Sequence, residues 1–210
     1  MQTLLVFNFN GTLVSTRDLA IRIYNGIAAD KGYRVIHPED VAWLRSISIK
    51  DRCRHLGVPL YLLPVIGVAI KHRYQQEISR LPAVEGIPEM LRALKSEGYV
   101  LRLMTSNSRS VTGLFLEANG IDLFDAIHYA HNPFSKERGL TSFLKQSRAA
   151  YQEIYYVGDE LRDMRAGRKA GVRTIAAAWG YDSVELLRQG EPSHIVHKPS
   201  DLIDAVQRFG

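Results

Sequence analysis

The sequence predicts an α/β fold in which a Rossmann-like parallel sheet is the middle of three α/β/α layers, with an all-helical segment inserted after the first strand. Strand-like apolar runs alternate with amphipathic helical stretches along most of the chain, which is typical of a parallel sheet covered on both faces. About ninety residues (8–99) separate the first two runs, far more than a simple crossover needs. The strands are expected at 3–7, 100–105, 126–129, 154–157, 173–176 and 194–197.

Residue types at the ends of the elements support this order. The first run is rich in leucine and β-branched residues and stops at Asn8, just before an Asn-Gly turn sequence. Gly98, Gly120 and Gly171 lie where three of the later helices should end, because glycine readily adopts the left-handed conformation of a helix stop. The helices are expected at 86–97, 109–119, 139–148 and 161–170.

The long segment after the first strand contains helical patterns only, among them 38–56 and 60–79. We therefore predict a core domain formed by 1–15 and 82–210 and a helical cap domain formed by 16–81, with hinges near 13–16 and 81–85. The alternative is that the additional helices pack flat on the sheet.

Composition limits the class of protein. The chain has 210 residues, of which 46% are hydrophobic and 23% charged, enough for a real core in one domain plus a small insertion. The formal charge of +5 permits anion binding, but the basic residues are scattered, so we expect no nucleic-acid partner. A single cysteine fits a reducing compartment. Without a signal-peptide pattern or a spanning apolar run, we expect a cytoplasmic monomer or homodimer with no membrane partner.

The end of the first strand carries the most informative residues. Asn8 and Asn10 are two residues apart, so strand alternation places both side chains on the same side. Ligands of α/β sheets bind at such strand tips. Two carboxylates here would make a nucleophile and an acid/base partner, but both residues are amides. Gly11 allows a tight turn, and backbone N–H groups with the Thr12 hydroxyl are candidates to bind an anion; ordinary turn chemistry is the alternative.

Two later segments also suit a phosphate. Thr105, Ser106 and Asn107 follow the second apolar run and precede a helix, where a hydroxyl and helix N–H groups can hold an anion. Capping of that helix by Ser106, Asn107 or Ser108 is the alternative. Lys136 lies just before another helix, and its ammonium is a candidate to neutralise phosphate charge, although a lone lysine is usually solvated surface.

A pair of carboxylates follows the fourth strand. Asp159 and Asp163 are four residues apart in Gly-Asp-Glu-Leu-Arg-Asp, so they share one face of the first helical turn. Two carboxylates there form a hard oxygen site suited to Mg²⁺. Acidic residues are also common at helix starts because the helix dipole favours them.

Together, and in this order, these segments resemble the haloacid dehalogenase-like hydrolase superfamily, over essentially the whole chain. The resemblance is closest to the phosphoglycolate phosphatase-like branch, which has a helical cap between its first and second motifs. Residues 82–91, Pro-Ala-Val-Glu-Gly-Ile-Pro-Glu-Met-Leu, are similar to that branch's return from the cap to the core.

The resemblance implies a role for each segment. Position 8 would hold a nucleophilic aspartate that forms an aspartyl-phosphate, and position 10 would hold the aspartate that protonates the leaving group and then activates water. Thr105 and the amides after it would bind the transferred phosphoryl group, and Lys136 would hold phosphate. Asp159, helped by Asp163, would hold Mg²⁺ with the side chain at 8 and the carbonyl of residue 10.

The chain departs from the family pattern at both reactive positions. The carboxamides of Asn8 and Asn10 are poor nucleophiles and cannot cycle a proton near neutral pH. We therefore expect the scaffold of a Mg²⁺-dependent phosphatase of a small phosphorylated metabolite, with negligible turnover in the form written here. A non-catalytic protein that binds a phosphate ligand or has a regulatory role is the alternative. The origin of the amides is either deliberate inactivation or a natural pseudoenzyme.

The predicted cap contains one candidate specificity segment, between two of its helical patterns. Arg45 and Lys50 lie in a stretch rich in cations, and we expect it to face the active site and contact an acidic or polar group of the substrate. A solvated basic turn is the alternative, since lysines and arginines are common at surfaces.

Overall fold

A parallel six-stranded sheet forms the centre of the computed structural model, which describes residues 2–129 and 136–207 without the side chains of Lys71, Ser79 and 136–138. Each strand predicted from the sequence is confirmed within one residue of its expected ends. The strands are β1 (Thr3–Asn8), β2 (Val100–Thr105), β3 (Ala126–Tyr129), β4 (Glu153–Gly158), β5 (Arg173–Ala177) and β6 (His194–Val196).

The four helices predicted between the later strands are also confirmed, as α5 to α8 below. Single turns of 3₁₀ helix occur at Leu60–Leu62 and Ile78–Arg80. The α-helices are α1 (Arg17–Lys31), α2 (Pro38–Ser46), α3 (Ile49–His55), α4 (Leu63–Glu77), α5 (Ile87–Ser96), α6 (Arg109–Ala118), α7 (Lys136–Ser147), α8 (Leu161–Ala170), α9 (Val184–Arg188) and α10 (Asp201–Gln207).

The strand order is β3-β2-β1-β4-β5-β6, and all neighbours are parallel. The central strand β1 places Asn8 beside Met104 of β2 and Phe7 beside Val157 of β4. The chain winds from β1 toward β3 and then, from β4 onward, along the opposite side, so the winding reverses between β1 and β4. In an open parallel sheet the ligand crevice lies outside the carboxyl ends of the strands at this reversal.

Helices cover both faces of the sheet. Leu5 and Phe7 of β1 pack on one face against side chains from α5, α6 and α10. Leu4 and Val6 pack on the other face against side chains from α7 and α8. All four of these strand residues are fully buried, as expected when successive side chains of a strand point to opposite, equally covered faces. The predicted three-layer α/β/α arrangement is thereby confirmed.

The segment between β1 and β2 is helical, as predicted, and its apolar residues divide between two clusters. Tyr24 of α1 and Cys53 of α3 belong to a small cluster within the inserted helices. Leu19 and Ile23, also of α1, belong to the main cluster on the sheet. The division into a core and a separate cap domain at 16–81 stays a prediction.

The two segments that connect the inserted helices to the sheet lie side by side. Val14 forms isolated bridges with Asn10 and with Ala83. The N–H of Val84 donates to the carbonyl of Leu13 at 2.9 Å. The chain therefore enters and leaves the insertion at one place, directly beside the end of β1.

Some helical details differ from the predictions. The pattern at 38–56 is two helices, because Ser48 interrupts it and caps α3, its Oγ accepting the N–H of Asp51 at 3.2 Å. Helices α9 and α10 were not predicted, since segments of 5 and 7 residues show little periodicity.

Within the described ranges no single helix is long and apolar enough to cross a bilayer. The pair Ile49–His55 and Leu60–Glu77, which together have suitable length and composition, is bent by 115°.

Candidate active site

The ends of β1 and β4 bring three predicted site residues into contact. Asn8 ends β1 with 2% of its surface exposed, and Asp159 directly follows β4 and is fully buried. The Nδ2 group of Asn8 donates to Oδ1 of Asp159 at 3.0 Å and to the backbone carbonyl of Asn10 at 2.9 Å. Both hydrogens of this amide therefore point at oxygens that the family resemblance assigns to a metal.

The Asp159 carboxylate is held by hydrogen bonds from several directions. Its Oδ1 also accepts the hydroxyl of Thr12 at 2.8 Å, and its Oδ2 accepts the backbone N–H of Tyr181 at 2.9 Å. A buried carboxylate needs such partners, because its charge is otherwise costly away from water. Together with Asn8, these donors hold the carboxylate in one orientation at the edge of the sheet.

Two glycines let the backbone approach this carboxylate closely. A Cβ added at Gly11 would lie 2.0 Å from Oδ2 of Asp159, and one added at Gly180 would lie 2.2 Å from the Cβ of Asp159. Gly11 also has a φ of +78°, which other residues rarely adopt. Neither position can carry a side chain without displacing the carboxylate.

The predicted phosphate-binding residues of β2 lie beside Asn10. The Nδ2 group of Asn107 donates to Oδ1 of Asn10 at 3.0 Å, and the N–H of Asn107 donates to Oγ1 of Thr105 at 3.1 Å. Ser108 caps α6 by accepting the N–H of Val111 at 3.3 Å, so the capping alternative holds for Ser108. Thr105 and Asn107 are almost fully buried, which gives this edge of the site a rigid polar surface.

Gly11 and Thr12 have hydrogen-bond partners within the protein, and their predicted contacts with phosphate stay a prediction. The N–H of Gly11 donates to the carbonyl of Val14 at 2.9 Å, which closes the turn after β1. The hydroxyl of Thr12 is fully buried and donates to Asp159. Thr12 therefore orients the carboxylate, whereas the N–H of Gly11 shapes the turn, and neither residue lines the cavity described below.

The carboxylate of Asp163 has partners at the start of α8, and its predicted metal role stays a prediction. Oδ2 of Asp163 accepts the N–H of Glu160 at 3.2 Å, which completes a capping box at the start of α8. Its Oδ1 accepts the hydroxyl of Tyr156 at 3.4 Å, beneath the helix. The helix-start alternative therefore describes this residue, and its carboxylate stabilises α8.

The guanidinium of Arg45 has backbone partners in a loop of the core, and its predicted contact with the substrate stays a prediction. Its guanidinium donates to the backbone carbonyls of Ala178, Gly180 and Asp182 at 3.1, 3.2 and 3.2 Å and to that of Tyr181 at 3.2 Å. The residue is half-buried, and burial lowers the pKa of its guanidinium. Arg45 thus links α2 by hydrogen bonds to the loop that contains Tyr181, whose backbone N–H donates to Asp159.

A second arginine of the same segment strengthens this connection. Arg52 of α3 forms an ion pair with Asp182, and both side chains are mostly buried. The other oxygen of Asp182 accepts the N–H of Leu161 at the start of α8, at 2.7 Å. Burial, and then the charge of Glu160, raises the pKa of Asp182 against the opposing effect of Arg52. By contrast, Lys50 is exposed on α3 and does not line the cavity described below.

Lys136 begins α7, at the carboxyl side of β3 along the chain. Its side chain lies outside the described part of the structure, so its predicted contact with phosphate stays a prediction.

A cavity of about 280 Å³, here called the central cavity, opens beside these residues. Its floor is formed by Asn10, Ser106 and Asn107, and its roof comes from α1, α3 and α4 of the inserted segment. Two further wall residues, Tyr74 and Tyr181, have hydroxyls whose pKa burial raises, so both stay neutral. Sequence analysis assigned no site role to Tyr74, because it is one apolar-face residue of a helix like many others.

The oxygen groups at the ends of β1 and β4 are of the type that binds a hard cation, but together they carry little negative charge. Asp159 supplies one carboxylate and Asn10 its backbone carbonyl, whereas Asn8 turns its Nδ2 donor toward both of these oxygens. Oxygen ligands of this type are those that Mg²⁺ takes, usually with several waters. Among the described residues there is no cluster of three or more His, Cys, Asp or Glu side chains that would hold a metal.

Comparison with known proteins gives the same family as the motifs. A family model described as haloacid dehalogenase-like hydrolase matches residues 5–177. The chain belongs to the haloacid dehalogenase-like hydrolase family. A phosphoglycolate phosphatase of Synechococcus elongatus is 32% identical over 98% of this chain and 97% of that protein. The chain thus has a hydrolase scaffold that its relatives use as phosphatases, as predicted.

Solved structures of other proteins share this fold. A haloacid dehalogenase-like family protein from Streptococcus pneumoniae superposes with a TM-score of 0.76, at 19% identity, over 99% of both chains. CbbY from Rhodobacter sphaeroides, as an Asp-to-Asn mutant in complex with xylulose-(1,5)bisphosphate, gives 0.67 at 20% identity over 96% of both chains.

Proposed function

We propose that this chain is a phosphatase scaffold for a small phosphorylated metabolite, in a form that binds its ligand without turning it over. The observation that carries the proposal is the position of Asn8. It lies at the end of β1, where the sheet reverses its winding, against Asp159 and beside the polar floor of the central cavity. Asn8 is buried and does not itself line the cavity, but Asn10, two residues further on, does. We propose that a carboxylate at position 8 reaches a ligand phosphate held there.

The chemistry of the active form follows from the side chains at 8 and 10. A carboxylate oxygen at 8 attacks phosphorus, and the bond from phosphorus to the leaving oxygen breaks as a carboxylic acid at 10 gives that oxygen its proton. The carboxylate left at 10 then takes a proton from water, which attacks the aspartyl-phosphate and releases inorganic phosphate. The amides of Asn8 and Asn10 can perform neither step.

Other residues would position the phosphoryl group during these steps. Asn107 is hydrogen-bonded to the side chain of Asn10 and to the hydroxyl of Thr105, so all three lie together. The ammonium of Lys136 is the proposed source of positive charge. The inserted helices 16–81 are the proposed cap, which excludes water from the acyl phosphate.

Mg²⁺ is the proposed cofactor of the active form. Asp159, the carbonyl of Asn10 and the side-chain oxygen at position 8 would hold it, and it would offset the charge that gathers on the phosphoryl oxygens. In the chain as written, the amide hydrogens of Asn8 already point at the other two ligands. We therefore infer that Mg²⁺ binds this form weakly.

The test restores both carboxylates. The Asn8→Asp, Asn10→Asp variant should release inorganic phosphate from 4-nitrophenyl phosphate in millimolar Mg²⁺ and lose this activity in EDTA. The chain as written should be slower by several powers of ten, as when a nucleophile and its base are removed. The Asn8→Asp variant alone should accumulate aspartyl-phosphate from 4-nitrophenyl phosphate, because 4-nitrophenolate leaves without needing the acid at 10 while hydrolysis still lacks its base. A folded, Mg²⁺-supplied double variant without phosphate release would contradict the proposal.

A second candidate function is a regulatory or sensing protein that binds a phosphorylated ligand and never hydrolyses it. The hydrogen bonds of Asn8 favour this second function. Its amide donates to Asp159 and to the carbonyl of Asn10, so the site has no second buried carboxylate whose charge a metal would have to neutralise. Aspartate codons at 8 and 10 in the source gene would support the enzyme and an engineered inactivation. Asparagine codons would support the sensor.

A further inference from the structure

The central cavity has walls of two kinds, and their difference bears on the ligand. The floor is polar and lies beside the reactive position. The roof is formed by the inserted helices and, apart from Tyr74, is apolar. Its apolar residues are Ala20, Ile49, Leu63, Gly67 and Ile70. A phosphoryl group on the floor would therefore hold its leaving group against hydrocarbon.

Positive charge in the described cavity wall is limited to Arg162, and this guanidinium is paired. It donates through Nε to Oε2 of Glu160 at 3.0 Å and through a second nitrogen to the same oxygen. The charge of Glu160 raises the pKa of Arg162 above its usual value. An additional acid group on the ligand would meet Glu160 as well as Arg162, and so would gain little.

The other cations of the inserted segment are directed elsewhere. The guanidinium of Arg45 donates to carbonyls of the 178–182 loop, and that of Arg52 pairs with Asp182. Lys50 does not line the cavity. The roof therefore offers no described cation to a carboxylate or to a second phosphate.

One residue of the roof carries a polar group. Tyr74 of α4 lines the cavity with 5% of its surface exposed, and its hydroxyl has no hydrogen-bond partner within the described residues. It lies near the hydroxyls of Thr16 and Tyr181 without forming a hydrogen bond of ordinary geometry to either. Because that oxygen is also out of contact with solvent, the part of Tyr74 that lines the cavity is its ring, which extends the apolar roof.

We propose that the ligand is a phosphate monoester whose leaving group is uncharged and largely apolar, and that the second acid group of a phosphoglycolate or a bisphosphate is disfavoured. This deepens the proposed function and rests on it only for where the phosphoryl group lies. The cavity, at about 280 Å³, suits a phosphate with a group of the size of one ring or a short alkyl chain.

The first test measures binding by the chain as written, which needs no turnover. Calorimetric titrations would use phenyl phosphate, 2-phosphoglycolate and inorganic phosphate, each with and without Mg²⁺. Phenyl phosphate should bind about tenfold more tightly than inorganic phosphate, because its ring is buried against the roof. 2-Phosphoglycolate should bind no more tightly than inorganic phosphate. Tighter binding of 2-phosphoglycolate than of phenyl phosphate, or equal binding of all three, would overturn the proposal.

A matched pair of substitutions locates the effect. Ile49 and Val68 are equally exposed, each at 59%, but only Ile49 lines the central cavity. Ile49→Ser should weaken binding of phenyl phosphate about three- to tenfold and leave that of inorganic phosphate unchanged. Val68→Ser should change neither. Equal effects of the two substitutions would place the ring outside the roof and refute the assignment.

Turnover separates this proposal from the proposed function. If the Asn8→Asp, Asn10→Asp variant hydrolyses 2-phosphoglycolate with a higher kcat/KM than phenyl phosphate, the phosphatase function stands and the apolar specificity fails. If the double variant releases no phosphate while the binding order of the parent chain is as expected, the specificity stands and the catalytic proposal fails.

Discussion

The substitution Asn8→Asp alone should make the stability of the fold depend on Mg²⁺. In the chain as written, Nδ2 of Asn8 lies 3.0 Å from Oδ1 of Asp159, and both groups are buried. A carboxylate at position 8 would replace this hydrogen bond with a contact between two negative charges. At a separation of about 4 Å and an effective dielectric constant of about 20, they repel by about 4 kcal/mol.

The lost hydrogen bonds add to this cost. The Asn8 amide donates to Asp159 and to the carbonyl of Asn10, which together contribute about 1–2 kcal/mol. We therefore expect Asn8→Asp to lower the free energy of unfolding by about 4–6 kcal/mol in EDTA at about pH 8. This is a large share of the free energy of unfolding of a typical protein, which is about 5–15 kcal/mol. Repulsion raises the pKa of the new carboxyl in the folded state. The cost is therefore absent below the unfolded-state pKa, grows as the pH rises from there, and is complete above the raised folded-state pKa.

Urea unfolding followed by circular dichroism would measure this loss. Millimolar Mg²⁺ should recover most of it in the Asn8→Asp variant and should change the parent little, since only the variant has two carboxylates to bind the ion. Asn10→Asp is the matched control. Its side chain is partly exposed and accepts Nδ2 of Asn107, which a carboxylate can also do, so it should cost less than about 1 kcal/mol. A variant Asn8→Asp as stable as the parent in EDTA, and indifferent to Mg²⁺, would refute this reasoning.

Three further predictions concern the supports of the site and of the sheet. Gly180→Ala should lower the free energy of unfolding by about 3 kcal/mol or more, because the added Cβ would lie 2.2 Å from the Cβ of the buried Asp159. Gly113→Ala in α6 meets open space, so this control should raise the free energy of unfolding by about 1 kcal/mol. Arg52→Ala should cost about 3 kcal/mol by leaving a buried carboxylate unpaired. Burial raises the pKa of Asp125, but hydrogen bonds from an ammonium and a backbone N–H outweigh it and lower the pKa. Asp125→Asn should therefore lower the free energy of unfolding by about 0.5–1 kcal/mol at neutral pH, and by nothing once the pH has fallen below the lowered pKa.

The same unfolding assay and its controls decide these three. Equal stabilities of the Gly180→Ala and Gly113→Ala variants would show that the loop can move away from the carboxylate. Arg54→Ala removes an exposed ion pair of the same helix and should cost less than about 0.5 kcal/mol, so a similar loss in both arginine variants would contradict the role of Arg52. A cost of Asp125→Asn that does not shrink on acidification would contradict the lowered pKa.

The sheet was predictable because its strands are nearly continuous apolar runs bounded by glycines and polar turns. Both faces of such a strand are covered, as Leu4 and Leu5 show, so the run carries the signal by itself. The short helices α9 and α10 gave no such signal. Their positions depend on packing against neighbours that are distant in sequence, such as Met164 beside Leu187.

The site was predictable where a residue type and a strand end coincide, as for Asn8 and Asp159. It was not predictable where the outcome depends on which acceptors lie nearby. Arg45 looks like a free cation in sequence, but it faces a row of carbonyls from a loop more than a hundred residues away. Asp163 is a different case, because its capping box with Glu160 is local and could have been recognised from the spacing alone.

The paired connections of the insertion bear on how such a scaffold diversifies. Since Leu13 and Val84 are hydrogen-bonded neighbours, a short turn could replace everything between them without breaking a strand of the sheet. Exchange of that portion between relatives would bring new ligand chemistry and leave the reactive end of β1 in place. The constraint on such grafts is the shared packing, because Leu19, Ile23 and Ile78 complete the layer above the sheet and any replacement must supply comparable apolar bulk.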